Sequence, residues 1–229
     1  MAEKIKVLIS EEEVDAIFKK ALAGESVSRE EEMKFKMAFM QFVARAYHKK
    51  NWVMQIHYGC KRDNNALMYA KLGPDTGYDC INNYAPSAQT ADFLNSLIAT
   101  DELPKTILYS LNPCDNEAIG TILGCFQGTE AAGKIQQGSA WWYNDHECGI
   151  RDNLDALGSY SLMSMSLGMT TDSRTILSFS RHDYFRRILC DYIGNRVERG
   201  GLPADMEFLG GVVTGISYKN ADKWIYGNE

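Results

Sequence analysis

Thr106-Ile-Leu-Tyr-Ser-Leu111, then Asn112-Pro113, then a segment whose Ala118, Ile119, Ile122, Leu123 and Phe126 share one helical face: this stretch decides the fold class. The first run is apolar, short and rich in β-branched and aromatic residues, which reads as a strand. The spacing of the second is that of a helix with one buried face, and Asp115 stands where it can cap it. The same alternation recurs on both sides. Upstream, Trp52-Val-Met-Gln-Ile-His57 ends near Gly59 and reads as a strand. Phe93, Leu94, Leu97 and Ile98 then mark a helix. Downstream come a strand at Lys134-Ile-Gln-Gln-Gly138, a helix marked by Ile150, Leu154 and Leu157, and a fourth strand candidate at Leu167-Gly-Met-Thr170. A helix follows, capped by Ser180 and Asp183, with Tyr184, Phe185, Ile188, Leu189, Tyr192 and Ile193 inward. Met206, Leu209, Val213 and Ile216 continue as helix, and a short last helix carries Trp224. Strand–helix alternation of this kind predicts an α/β protein with a parallel sheet. Four such units suit an open doubly wound sheet or half of an eight-stranded barrel, and periodicity does not separate the two.

Before the first strand, Ser10 with Glu13 and Ser28 with Glu31 have the spacing of capping boxes. Each opens a helix, and the second, apolar through Ala46, is expected to be substantially buried. Residues 1–50 thus form a helical lead-in to the four βα units and terminal helices of 51–229. No repeat, low-complexity tract or long linker divides the chain, which is read as a single domain.

Composition narrows the function. The 229 residues carry 24 Lys+Arg against 30 Asp+Glu, a net charge of −6, with no basic cluster, which argues against nucleic-acid binding. No apolar run approaches the roughly 18–20 residues of a membrane span, and the Met1–Lys6 start lacks the apolar core of a signal peptide. A cytoplasmic protein is expected. The six cysteines, at 60, 80, 114, 125, 148 and 190, form no Cys-x-x-Cys pair. They are expected to be reduced thiols packed as small hydrophobes rather than disulfides or zinc ligands.

Each predicted strand ends in polar residues: Gln55, His57 and Arg62-Asp-Asn-Asn65; Asn112 and Asp115-Asn116; Gln137, Ser139 and Trp141-Trp142-Tyr143-Asn144-Asp145; Thr171-Asp172-Ser173-Arg174. In parallel α/β folds the carboxyl ends of strands are where ligands bind. Each residue also has an ordinary structural use. His57 suits a hydrogen-bonded core position as well as a ligand. Trp141-Trp142 suits packing as well as sugar stacking. Asp172 suits a helix cap with Arg174 as its ion-pair partner. Asp115 is assigned no chemistry, and His48 and His146 are expected in solvent.

The run Trp52–Gly59 with Arg62, Asn64 and Asn65 resembles the uronate (glucuronate) isomerase family of the amidohydrolase superfamily. So do Leu72-Gly-Pro-Asp-Thr-Gly-Tyr-Asp79, Leu103–Tyr109, Leu111-Asn-Pro113 with Asp115-Asn116, Gly133-Lys134, Trp141–Asp145, Thr171-Asp-Ser-Arg174 and Ser180–Arg187. The resemblance implies the carboxyl-terminal half of a (β/α)₈ TIM-type barrel, strands five to eight. It implies interconversion of D-glucuronate with D-fructuronate, and of D-galacturonate with D-tagaturonate, using a divalent metal such as zinc, manganese or iron. By the same resemblance Asp172 is catalytic base and metal ligand, and Arg174 holds the substrate carboxylate or enediolate charge. His57 is a metal or substrate contact, Arg62 binds substrate, and Trp141 and Trp142 wall the sugar. The family's His-x-His pair is absent, since the four histidines are at 48, 57, 146 and 182. Asp63 and Asp183 also depart from the family's usual Asn and Glu. A hexuronate substrate and pairing with the missing amino-terminal half, or self-association, are the implied partners. A metal-dependent hydrolase of the same superfamily and a catalytically silent half-barrel are the alternatives.

Overall fold

The structure is a computed structural model that describes residues 9–84 and 86–227; the Met1–Lys6 start lies outside them. In chain order the elements are α1 (Glu11–Leu22), α2 (Arg29–Lys49), β1 (Met54–Tyr58), β2 (Cys60–Lys61), α3 (Ala66–Leu72), β3 (Cys80–Ile81) and α4 (Ser87–Ile98). There follow β4 (Thr106–Ser110), α5 (Asn116–Cys125), β5 (Ile135–Gln137), α6 (Glu147–Tyr160), α7 (Ser180–Glu198) and α8 (Met206–Thr214), the last extended by wider turns at Gly215–Lys219 and Asp222–Tyr226. They gather into two compact units, one of residues 1–54 and 86–105, the other of 55–85 and 106–229. The helix α4 therefore groups with the lead-in helices.

In the first unit both predicted starts are made. The Ser10 hydroxyl accepts from the Glu13 N–H, and Ser28 with Glu31 forms a complete capping box. Ion pairs join the helices at Lys20–Glu31 (2.9 Å) and Lys34–Glu13 (2.8 Å), and Phe18 stacks on Phe35. The expected burial of α2 is not found. Only Gln41 and Ala44 are buried along it, while Phe39, Met40 and Phe42 are exposed. Its apolar residues occur too often, and on too many sides, for one packed face to cover them.

The second unit holds a sheet of order β1-β4-β5, with β4 and β5 parallel and Thr106 opposite Ile135. Against it packs α5, with α6 on α5, and a core of Leu154, Leu189 and Ile216 ties α6, α7 and the chain after α8 together. Three strands form the sheet, not four. The stretch 167–170 runs without a ladder because β5 ends at Gln137 and the Thr170 N–H bonds instead to the Ser139 hydroxyl at 3.0 Å. Gly168, at φ +70, also leaves the extended region. A short hairpin, β2 with β3, and the helix α3, capped by Asn65, were not expected.

Several local expectations are corrected. Ser180 and Asp183 do not cap α7, because a turn at Ile176–Phe179, capped by Thr175, leads directly into it. Asp183 pairs with Arg187 instead. Asp115 makes no cap bond and accepts from the Ser110 hydroxyl. His146 is exposed as expected, and its ring also accepts from the Gly149 N–H at the start of α6. The cysteines are free, but five are exposed and Cys60 is half-buried, so they are not core packing.

Candidate functional site

Residues alternate faces along a strand, and in β1 Met54 points into the core while Gln55 and His57 share the exposed face. Across the ladder lies Tyr109, buried in β4. The His57 ring stacks on Tyr109 at 4.2 Å, nearly parallel, and meets Trp141 edge-on at 4.8 Å. The Tyr109 hydroxyl donates to Gln55 Oε1 at 3.0 Å and lies 3.5 Å from the Thr170 hydroxyl. Burial raises the Tyr109 pKa, and the Asp172 charge adds to that effect, so the hydroxyl stays protonated at neutral pH. This platform needs Gly138 behind it, because a Cβ there would collide with the Tyr109 ring.

From Trp141 the aromatic surface continues to Trp142 (5.7 Å), which carries the Arg62 guanidinium over its ring at 5.1 Å. Arg62 is held in turn by Asp79 at 2.7 Å. Asp79 is 3% exposed in its side chain, and its pKa lies below the ordinary carboxylate range because the Asp63 N–H and then Arg62 favour its charged form. Beyond Arg62, Asp75 lies 3.4 Å from both Arg62 and Arg174.

Asp172 is exposed and reaches the patch through its charge. Its negative charge acts on both His57 and Tyr109. Loss of solvent around the His57 ring lowers that pKa, and the Asp172 charge opposes the shift. Neither structural use considered for Asp172 and Arg174 is realised: Thr175 makes the cap, and the ion pair of Arg174 is with Asp75. Asp172 and Trp142 both hold left-handed backbone, at φ +46 and +49. Such conformations cost non-glycine residues of order 1–3 kcal/mol and cluster at functional sites.

Five of the six residues singled out from the sequence, His57, Trp141, Trp142, Arg62 and, through Asp75, Arg174, thus form one connected patch in the second unit, and the charge of the sixth, Asp172, reaches it. Tyr109, Asp75 and Asp79 are its unforeseen members. The signal for Tyr109 was a hydroxyl-bearing aromatic inside an apolar strand, which becomes meaningful only once register sets it beside His57. Trp141 is buried with its indole N–H unpartnered, which leaves a donor for a ligand oxygen. Among the described residues no group of three or more His, Cys, Asp or Glu is placed to hold a metal ion. Asp172 and His57 offer two donors where catalytic sites draw on three protein ligands. The residues of this chain do not by themselves fit a resident metal.

A parallel α/β sheet with a charged, aromatic-walled patch near its carboxyl ends defines the class: an α/β protein with a strand-end candidate site. The particular family follows from comparison. A family model described as glucuronate isomerase matches residues 1–225, and the chain belongs to that family. The uronate isomerase of Lachnospira eligens is 58% identical over 215 residues, covering 94% of this chain and 46% of the relative. That of Lachnoclostridium phytofermentans is 57% identical over the same shares. The crystal structure of uronate isomerase from Thermotoga maritima superposes with a TM-score of 0.86 at 32% identity, over 95% of this chain and 46% of that one. The chain therefore spans about half the length of the curated relatives it matches. No helix among the described residues is long and apolar enough to cross a membrane.

Proposed function

We propose that this chain is part of a cytoplasmic uronate isomerase, the carboxyl-terminal half of a single (β/α)₈ barrel domain, acting on D-glucuronate or D-galacturonate. The observation that carries the reading is the aromatic wall of His57, Trp141 and Trp142 with Arg62 seated on it, Arg174 joined to Arg62 through Asp75, and the Asp172 charge reaching His57 and Tyr109. Aldose–ketose isomerisation moves a proton from C2 to C1. The Asp172 carboxylate takes the C2 proton, and the C–H electrons become the C1=C2 bond of a cis-enediol as the aldehyde oxygen gains charge and is protonated. Return of the proton to C1 and loss of the C2 hydroxyl proton give the ketose. Arg174 pairs with the substrate carboxylate, a task suited to a planar guanidinium, and Arg62 lends positive charge on the Trp142 side. His57, held flat by Tyr109, contacts a substrate oxygen, and the indoles exclude water from the enediol face. The divalent metal implied by the family needs ligands from outside this chain.

The exposed Gln55–His57 face of β1 supports the half-barrel reading, since closure of a barrel would cover it. The test is co-expression of this chain with the part of the Lachnospira eligens relative that it does not match, followed by assay of D-fructuronate formation from D-glucuronate. Turnover by the pair, absent from either piece and lost in Asp172→Asn with the unfolding midpoint unchanged, is the expected result. Wild-type rates in Asp172→Asn would remove the role given to that carboxylate.

A further inference from the structure

The Asp75 carboxylate bridges two guanidiniums, one oxygen to each: Oδ1 lies 3.4 Å from Arg62 Nη1 and Oδ2 lies 3.4 Å from Arg174 Nη2. These two arginines are not equivalent. Arg62 already has a short partner in the nearly buried Asp79, at 2.7 Å. Arg174 is 92% exposed, and Asp75 is the ion-pair partner found for it among the described residues. Asp75 sits in the turn between α3 and β3 at a left-handed φ of +58, with its N–H donated to Asp63 Oδ1 at 3.1 Å. A strained backbone thus holds a carboxylate at the long end of hydrogen-bonding distance from two cations.

We propose that Asp75 is an internal stand-in for the carboxylate of the ligand, occupying the anion position at Arg174 until a hexuronate displaces it. The inference rests on the reading of Arg174 as the carboxylate clamp and adds a residue that tunes the affinity of that clamp for acids. The physical case is one of competition. Exposed ion pairs at 3.4 Å contribute little, so the internal carboxylate leaves readily. A ligand carboxylate is free to approach Arg174 in the closer, two-point geometry that planar guanidinium favours. A neutral sugar has no group that competes with Asp75 for Arg174, so the stand-in weakens the binding of acids and leaves that of neutral sugars unchanged.

The test measures binding of D-glucuronate and of D-glucose to the full 229-residue chain, by calorimetry or by perturbation of backbone amide resonances. It uses wild type, Asp75→Asn, Asp75→Gly and Arg174→Met. Asn and Gly both accept the left-handed backbone at Asp75, so neither variant is expected to unfold the turn. Both should bind D-glucuronate roughly two- to fivefold more tightly, the worth of one exposed ion pair, while D-glucose binding stays at its wild-type level. Arg174→Met should lose the preference for the acid. Unchanged or weaker D-glucuronate binding in both Asp75 variants, with the preference still lost in Arg174→Met, overturns the stand-in role and leaves the clamp intact. Wild-type binding in Arg174→Met removes the clamp and the stand-in together.

Discussion

At the scale of single residues, four of the six left-handed non-glycine residues, Asp63, Asp75, Trp142 and Asp172, lie at the site, while Asn51 and Asp101 lie in the first unit. Asp172 holds a left-handed conformation at φ +46 without a capping bond to account for it. Replacement by glycine relieves the steric cost while removing the carboxylate. Asp172→Gly is therefore expected to raise stability slightly, by up to about 1 kcal/mol, in urea unfolding followed by circular dichroism, and to abolish turnover in a completed enzyme. A destabilised Asp172→Gly would mean that the carboxylate holds the fold rather than the chemistry. Gly138 tests the opposite case, in which space rather than dihedral angle is limiting. A methyl group there meets the Tyr109 ring, so Gly138→Ala should cost about 1–3 kcal/mol by overpacking. It should also move the His57 ring resonances, because the stacked pair at 4.2 Å must shift. Unmoved His57 signals in a folded Gly138→Ala chain would separate the histidine from its platform.

At the scale of elements, the capping box that opens α2 was legible from Ser28 and Glu31 alone, and its energetics depend on pH. The Glu31 carboxyl is pushed down to about 2 from 4.5, first by Lys20 and then by the Ser28 N–H. Folding thus favours the ionised form. The contribution is fully present above the ordinary value and is lost as pH falls through the folded one. The stability of Glu31→Gln should lie below wild type above about pH 4.5 and converge with it towards pH 2. Ser28→Ala should cost about 1 kcal/mol at neutral pH. What was legible had local causes: capping spacings, the apolar runs of β1, β4 and β5, and the helical faces of α4 to α7. What was not legible depends on pairing between distant segments. The hairpin Cys60–Lys61 with Cys80–Ile81 has too few residues to show a period. The 167–170 run has the composition of a strand, yet β5 ends at Gln137, the Thr170 N–H bonds to the Ser139 hydroxyl, and Gly168 is left-handed. The site followed the same rule. His57, Arg62, Asp172 and Arg174 stood out as polar residues after apolar runs, whereas Tyr109 and Asp75 acquire meaning through neighbours 52 and 99 positions away.

At the scale of the whole molecule, the surface of this chain is unlike that of a finished globular protein. The sheet order β1-β4-β5 leaves β1 and β5 each with one edge that pairs with no strand among the described residues. In the second unit Leu162, Ile176, Leu177, Phe179, Met206 and Phe208 are all exposed, with Leu177 and Met206 at 81%. Open strand edges and apolar surface of this kind promote association. Under the half-barrel proposal these edges and side chains are surface that the other half of the barrel would bury. The isolated chain is accordingly expected to sediment as a concentration-dependent mixture of oligomers. Together with the unmatched part of the Lachnospira eligens relative it should form one defined species with protected β1 amides in hydrogen exchange. Salt should leave the self-association intact, because apolar burial rather than charge drives it. A monodisperse monomer across the accessible concentration range would instead mean that these edges and side chains are already accommodated. The half-barrel reading would then give way to that of a self-sufficient domain.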